Sequence, residues 1–127
     1  ILGHWGTDAA RDYHPKRAEA LGAIEAVPTW EEAIERATRL NEGGRPLVAM
    51  PDARTWPRSV SYREVRRRLQ EGEIPAILLV FGTGWGIAPH FFDQMDLILD
   101  PLRGPGPYNH LSVRSACAIV LDRLLAP

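Results

Sequence analysis

The residues best suited to chemistry lie in the second half of the chain. Phe81-Gly-Thr-Gly-Trp-Gly86 sets three glycines at alternate positions directly after an apolar run. Glycine there supplies backbone freedom and lets a ligand approach main-chain N–H groups closely. The pattern reads Gly-x-Gly-x-Gly and departs from the dinucleotide fingerprint, whose last glycine would fall at Ile87. Asp100 closes the next expected strand, where a Rossmann-type protein binds a ribose hydroxyl. On this pattern alone, a structural turn and a nucleotide or adenosyl site both stay open.

Leu99-Asp-Pro-Leu-Arg-Gly104 forms a second glycine-containing loop, expected at the same sheet edge as the first. Asp100 and Arg103 read equally as a solvated pair and as ligand contacts. Tyr108-Asn-His-Leu-Ser-Val-Arg114 introduces the last helix, and Asn109 or Ser112 is placed to cap it. Arg114, Ser115 and Asp122 then share a narrow arc of that helix, a polar strip suited to a subunit contact or a ligand edge. His4, His14, His90 and His110 form no metal-ligand spacing with one another or with Cys117. Cys117 falls on the apolar side of the last helix and reads as a core residue. No Gly-x-Ser-x-Gly elbow and no P-loop lysine are present. Arg54, Arg58, Arg63, Arg66, Arg67 and Arg68 form a basic cluster, read first as a solvated helix face and second as phosphate contacts to RNA. Arg11, Lys16 and Arg17 pose the same choice.

Alternating helical and extended segments must position these groups, and that alternation predicts an α/β fold with a mostly parallel sheet. Pro15 to Leu21 reads as a short helix and Ala23 to Val27 as an extended run. Thr29 with Glu32 predicts a capped helix that ends at Gly43 and Gly44. Pro46 to Met50 is an expected strand broken at Pro51. Ser61 with Glu64 caps a helix burying Tyr62, Val65 and Leu69. Ala76 to Phe81 is continuously apolar, as for a strand covered on both faces. A helical turn to about Phe92, a strand at Leu97 to Leu99 and a helix from about His110 to Leu125 complete the set. In that last helix Val113, Ala116, Cys117, Val120, Leu121 and Leu124 share a side.

The 127 residues, with 15 Lys and Arg against 16 Asp and Glu, suit one domain with its own core and argue against a strongly basic nucleic-acid binder. A single cysteine excludes a disulfide framework within the chain and fits a reducing, cytoplasmic setting. No apolar run approaches the roughly 20 residues of a membrane span, so no membrane partner is expected. The chain opens with Ile1 and shows no secretory signal, which suggests a processed chain or the later part of a longer one.

Taken together, Leu79-Val-Phe-Gly-Thr-Gly-Trp-Gly86, Asp96-Leu-Ile-Leu-Asp-Pro-Leu-Arg-Gly104, Tyr108-Asn-His-Leu-Ser-Val-Arg-Ser115 and Ala118 to Leu125 resemble the SPOUT class of methyltransferases. More closely, they resemble the bacterial SAM-dependent RNA methyltransferase-like domain that occurs alone or behind a tRNA guanine methyltransferase. His4-Trp5, Pro15, Arg17 and Ala20-Leu21 extend the likeness to nearly the whole chain. The resemblance implies a deep C-terminal trefoil knot, a topology that general rules disfavour. It implies S-adenosyl-L-methionine bound in the knot by Phe81, Gly82, Thr83, Gly84, Gly86, Leu99, Asp100, Leu102, Gly104, Tyr108, Asn109, Leu111 and Ser112. It also implies an RNA substrate and a homodimer joined through the knot and last helix. Arg114, Asn109 and His110 are the candidates to orient or deprotonate the acceptor. The chain departs from the family in three ways. It is expected to lack an N-terminal part with at least one further strand, and so to be a single domain, 1–127, without that portion. Met50-Pro-Asp-Ala-Arg54 stands where a Thr-containing loop is expected, and Ser112 where an Asn is common. Methyl transfer to RNA, in tRNA or rRNA, is therefore the first expectation. A non-catalytic SAM-binding and dimerisation module is the alternative, and a Rossmann-like binder using Gly82, Gly84 and Asp100 ranks third.

Overall fold

The computed structural model describes residues 15–106 and 108–126. His4, Trp5, Arg11 and His14 lie outside them. By internal contacts the chain divides into two compact units, 1–33 and 34–127.

In the first unit the described residues open with α1 (Pro15–Gly22), with Pro15 at the first helical position, where a missing N–H costs nothing. The expected extended run at Ala23 to Val27 pairs with no strand among the described residues, and Ile24 and Val27 are exposed. Helix α2 (Trp30–Leu40) begins at the unit's end as predicted, with the Thr29 Oγ1 accepting from the Glu32 N–H at 3.2 Å. After it, in the second unit, Gly43 turns the chain at φ +89, and its N–H donates to the Thr38 carbonyl.

The second unit holds a four-stranded sheet of order β2-β4-β1-β3, built from β1 (Leu47–Pro51), β2 (Ser59–Val60), β3 (Ile77–Leu79) and β4 (Leu97–Leu99). Every pairing is parallel. Two expectations change here. β1 continues through Pro51, which faces Leu99 in register, because proline's fixed φ still permits extended backbone. β3 is three residues long and lies at the edge among the described strands, so its side chains are only half-buried. The fully buried pair is instead β1 and β4, through Val48, Ala49, Met50, Ile98 and Leu99.

Helix α3 (Tyr62–Gln70) is capped by Ser61, whose Oγ accepts from the Glu64 N–H. The Glu64 carboxylate does not close the capping box but pairs with Arg67. Past a 3₁₀ turn (Pro89–Gln94), α4 (Val113–Leu125) completes the unit. Tyr62, Val65, Ile74, Leu99, Val120 and Leu124 close a core between α3, α4 and the sheet, with Leu69 packed against it. The helix α4 buries only part of the side expected. Val120 and Leu124 are inside, Cys117 is half-buried, and Val113, Leu121 and Leu125 are exposed. Burial pushes the Tyr62 phenol up to about 12. The Arg123 guanidinium, 5.2 Å above the ring, pulls it down and Asp100 pushes it up.

Candidate cofactor cleft

Parallel strands send all their C-terminal ends to one side of a sheet, and ligands gather there. The loops after β1, β3 and β4 line a cleft of about 910 Å³. The sequence led us to expect two ligand loops on neighbouring strands. In the sheet β1 separates β3 from β4, so the loop that follows β1 forms the middle of the site. Met50, Pro51, Asp52, Ala53 and Arg54 all line the cleft. The family resemblance marked this segment only as a departure from a Thr-containing loop, which left its cofactor contact in doubt, and it carries no glycine signature of its own.

The glycine segment folds as a tight turn. The Gly86 N–H donates to the Thr83 carbonyl at 2.8 Å, and Gly86 sits at φ +81, which favours glycine. A Cβ on Gly82 would lie 2.2 Å from the Gly86 carbonyl carbon, so no side chain fits without moving backbone. At Gly84 a Cβ meets nothing within 4 Å. Two of the three glycines are thus needed by the turn itself, and the third leaves its space open. Trp85, at the tip, is fully exposed while lining the cleft.

The loop after β1 is held by its own charges. Asp52 accepts from the Arg54 backbone N–H at 2.8 Å and from its guanidinium at 3.1 Å through both oxygens. Burial pushes the Asp52 carboxyl up, but the Arg54 hydrogen bonds and charge outweigh it and leave the pKa below the ordinary value. The Arg54 guanidinium lies over Trp56 and Phe92, whose rings meet edge to face at 5.1 Å. The later loop is laced to this one. Arg103 donates to Thr55 Oγ1 at 2.6 Å, and the Asn109 side-chain amide donates to the Ala53 carbonyl at 2.8 Å.

Of the two candidate caps for α4, Ser112 does the capping, accepting from the Ser115 N–H at 3.2 Å. Asn109 is thereby left to brace the loops. Tyr108 and His110 meet edge to face at 5.8 Å on the cleft wall. The structure brings together Phe81, Gly82, Thr83, Gly84, Gly86, Leu102, Tyr108, Asn109, His110, Leu111 and Ser112 around one cavity. Leu99 is wholly buried in the core, and the Asp100 N–H donates to the Val60 carbonyl on the β2 side. Neither these two nor Gly104 and Arg114 line the cleft. Among the described residues no group of three His, Cys, Asp or Glu is placed to hold a metal ion.

A family model described as SAM-dependent RNA methyltransferase matches residues 1–126. The chain is 40% identical to an uncharacterized protein of Aquifex aeolicus (strain VF5), over 98% of this chain and 60% of the relative. It is 43% identical to a tRNA (guanine-N(1)-)-methyltransferase of Nitratidesulfovibrio vulgaris, over 98% of this chain and 28% of that protein. A protein of the same name from Oleidesulfovibrio alaskensis is 40% identical over the same shares. The chain therefore spans less than two thirds of each of these relatives. The glycine turn, the laced loops and a match along nearly the whole chain meet in one conclusion: this chain belongs to the SAM-dependent RNA methyltransferase family.

Proposed function

We propose that the cleft holds S-adenosyl-L-methionine and that the protein transfers a methyl group to RNA, with tRNA the preferred candidate. The observation that carries this reading is the convergence of three loops from parallel strand ends on one cavity, with a glycine turn at its wall. About 910 Å³ falls within the size of sites for small ligands and cofactors. The lining suits an adenosyl group with an amino-acid tail: Met50, Ile87, Leu102 and Leu111 offer apolar walls, and Thr83, Asp52, Arg54 and Ser112 offer polar contacts. When bound, the cofactor supplies an electrophilic methyl carried on a sulfonium.

The chain's own residues have two tasks. The first is positioning. Gly82 and Gly86 fix the turn, and Asn109 and Arg103 lock the later loop to the 53–55 segment, so the walls are pre-set before binding. The second is to take the acceptor proton. His110, on the cleft wall, has a ring nitrogen able to accept it. Arg114, in the first turn of α4, is assigned to orient the acceptor from outside the cavity.

The finer architecture belongs to this proposal. Arg103 and Asn109 carry the segment after β4 back against the loop after β1, which supports the knotted SPOUT topology. The exposed Val113, Leu121 and Leu125 on α4 support a homodimer through that helix. Among the described residues no helix is long and apolar enough to cross a membrane, and an RNA substrate is consistent with a cytoplasmic protein. The test is transfer of labelled methyl from S-adenosylmethionine to unmodified tRNA transcripts by the full chain. Incorporation that is lost in His110→Ala while cofactor binding persists is the expected result. Cofactor binding with no incorporation into tRNA or rRNA would overturn catalysis in favour of a binding module.

A further inference from the structure

Trp85 is the most exposed large apolar side chain among the described residues, with 101% of its reference surface accessible. Single exposed apolar residues are ordinary. This one stands on a tight turn that closes on itself, at a cleft whose wall also shows Tyr108, 77% exposed. The arginines outside the cleft add a second observation. Arg54, on the lining, is matched by Asp52. Next to it, Arg103 donates to the neutral Thr55 hydroxyl. One step outward, Arg58 donates at 3.0 Å to the carbonyl of Phe92, whose ring lies beneath the Arg54 guanidinium. Among the described residues neither Arg58 nor Arg103 pairs with a carboxylate.

We propose that an RNA strand docks across the mouth of this cleft, with a nucleobase stacked on Trp85 and backbone phosphates on Arg103 and Arg58. The inference rests on the proposed function and assigns its substrate-binding surface. A base offers the indole a π-face whatever its identity, so stacking there tolerates any sequence. Arginines held by neutral oxygens keep their full charge and are already ordered, so less freedom is lost on meeting a phosphate. A second copy of the chain would also cover Trp85, but it would bury two uncompensated cations, and a polyanion answers that charge.

The test measures binding of the full chain to pooled unmodified tRNA transcripts and, separately, to S-adenosylmethionine, with self-association followed by sedimentation. Trp85→Ala is expected to weaken tRNA binding about tenfold or more, with a smaller change in cofactor affinity and no change in self-association. Trp85→Phe is expected to restore most of the loss. Arg103→Ala is expected to reduce the salt slope of tRNA binding by about one. The inference is overturned if Trp85→Ala binds tRNA as the parent does, if cofactor affinity falls equally, or if the loss follows dissociation into monomers. It also falls if the parent chain binds the cofactor but no tRNA. Absence of cofactor binding would instead remove the proposed function and leave this surface to be judged by tRNA binding alone.

Discussion

Two arginines of helix α3, Arg67 and Arg68, and two beside the cleft spend their charges differently. On α3, Arg67 bonds Glu64, Glu71 and Glu73, and Arg68 reaches Glu73 at 3.5 Å. The hydrogen bonds from Arg67 hold the Glu64 and Glu73 carboxyls below their ordinary range. At the rim, Arg58 and Arg103 meet neutral oxygens. The two regions also differ in what lies beneath. The α3 face covers a closed core, whereas the rim borders a cavity. Density of arginine in a sequence therefore says little about cationic surface until the pairing is known.

The largest expected effect tests the closed region. Leu99→Ala removes a wholly buried side chain and should cost about 2–5 kcal/mol by denaturant unfolding. Loss of cofactor affinity with unchanged stability would instead place Leu99 in the site. A matched pair then probes the open region. Gly82→Val forces backbone movement and should cost about 1–3 kcal/mol. Gly84→Val enters open space, should shift stability by no more than about 0.5 kcal/mol, and should abolish cofactor binding by calorimetry. Equal destabilisation of both would break the distinction between turn glycine and cleft glycine.

Two titrations sharpen the contrast further. Tyr62, the first residue of α3, should ionise near pH 12 by ultraviolet difference spectroscopy, against about 10 for an exposed phenol. A raised phenol favours the neutral form, so its contribution is complete below about pH 10 and is lost as pH rises through 12. Asp52, at the cleft, has the opposite sign. Its lowered carboxyl contributes stability above about pH 4, lost as pH falls through the lowered value. Asp52→Asn should remove that acid-side dependence in thermal unfolding between pH 2 and 6, and an unchanged profile would dissolve the Asp52–Arg54 clamp.

Much of this was legible from local patterns. Thr29 and Ser61 act as caps because a hydroxyl three residues ahead of an N–H needs only local geometry. The glycine turn announced itself for the same reason. Strand order was not legible, because it depends on pairings between distant segments. That is why the contact from the loop after β1 stayed in doubt and the apolar run at Ala76 to Phe81 was read as covered on both faces, although β3 lies at the edge among the described strands. It also explains Leu99 and Asp100. Of their loop Leu102 lines the cleft, whereas Leu99 is buried in the core and the Asp100 backbone N–H is spent on the Val60 carbonyl. Asn109 shows a third limit: its partner, the Ala53 carbonyl, is distant in sequence and carries no residue-type signal.

The central claim is that the strand-end cleft is the cofactor site. The most direct measurement is a titration of the isotope-labelled full chain with S-adenosylmethionine, following backbone amide resonances. The predicted result is that shifts concentrate in Met50 to Arg54, Phe81 to Ile87 and Tyr108 to Val113, while Tyr62 to Gln70 stays unperturbed. Saturating cofactor with no shifts in those three segments, or with shifts centred on α3, would contradict it.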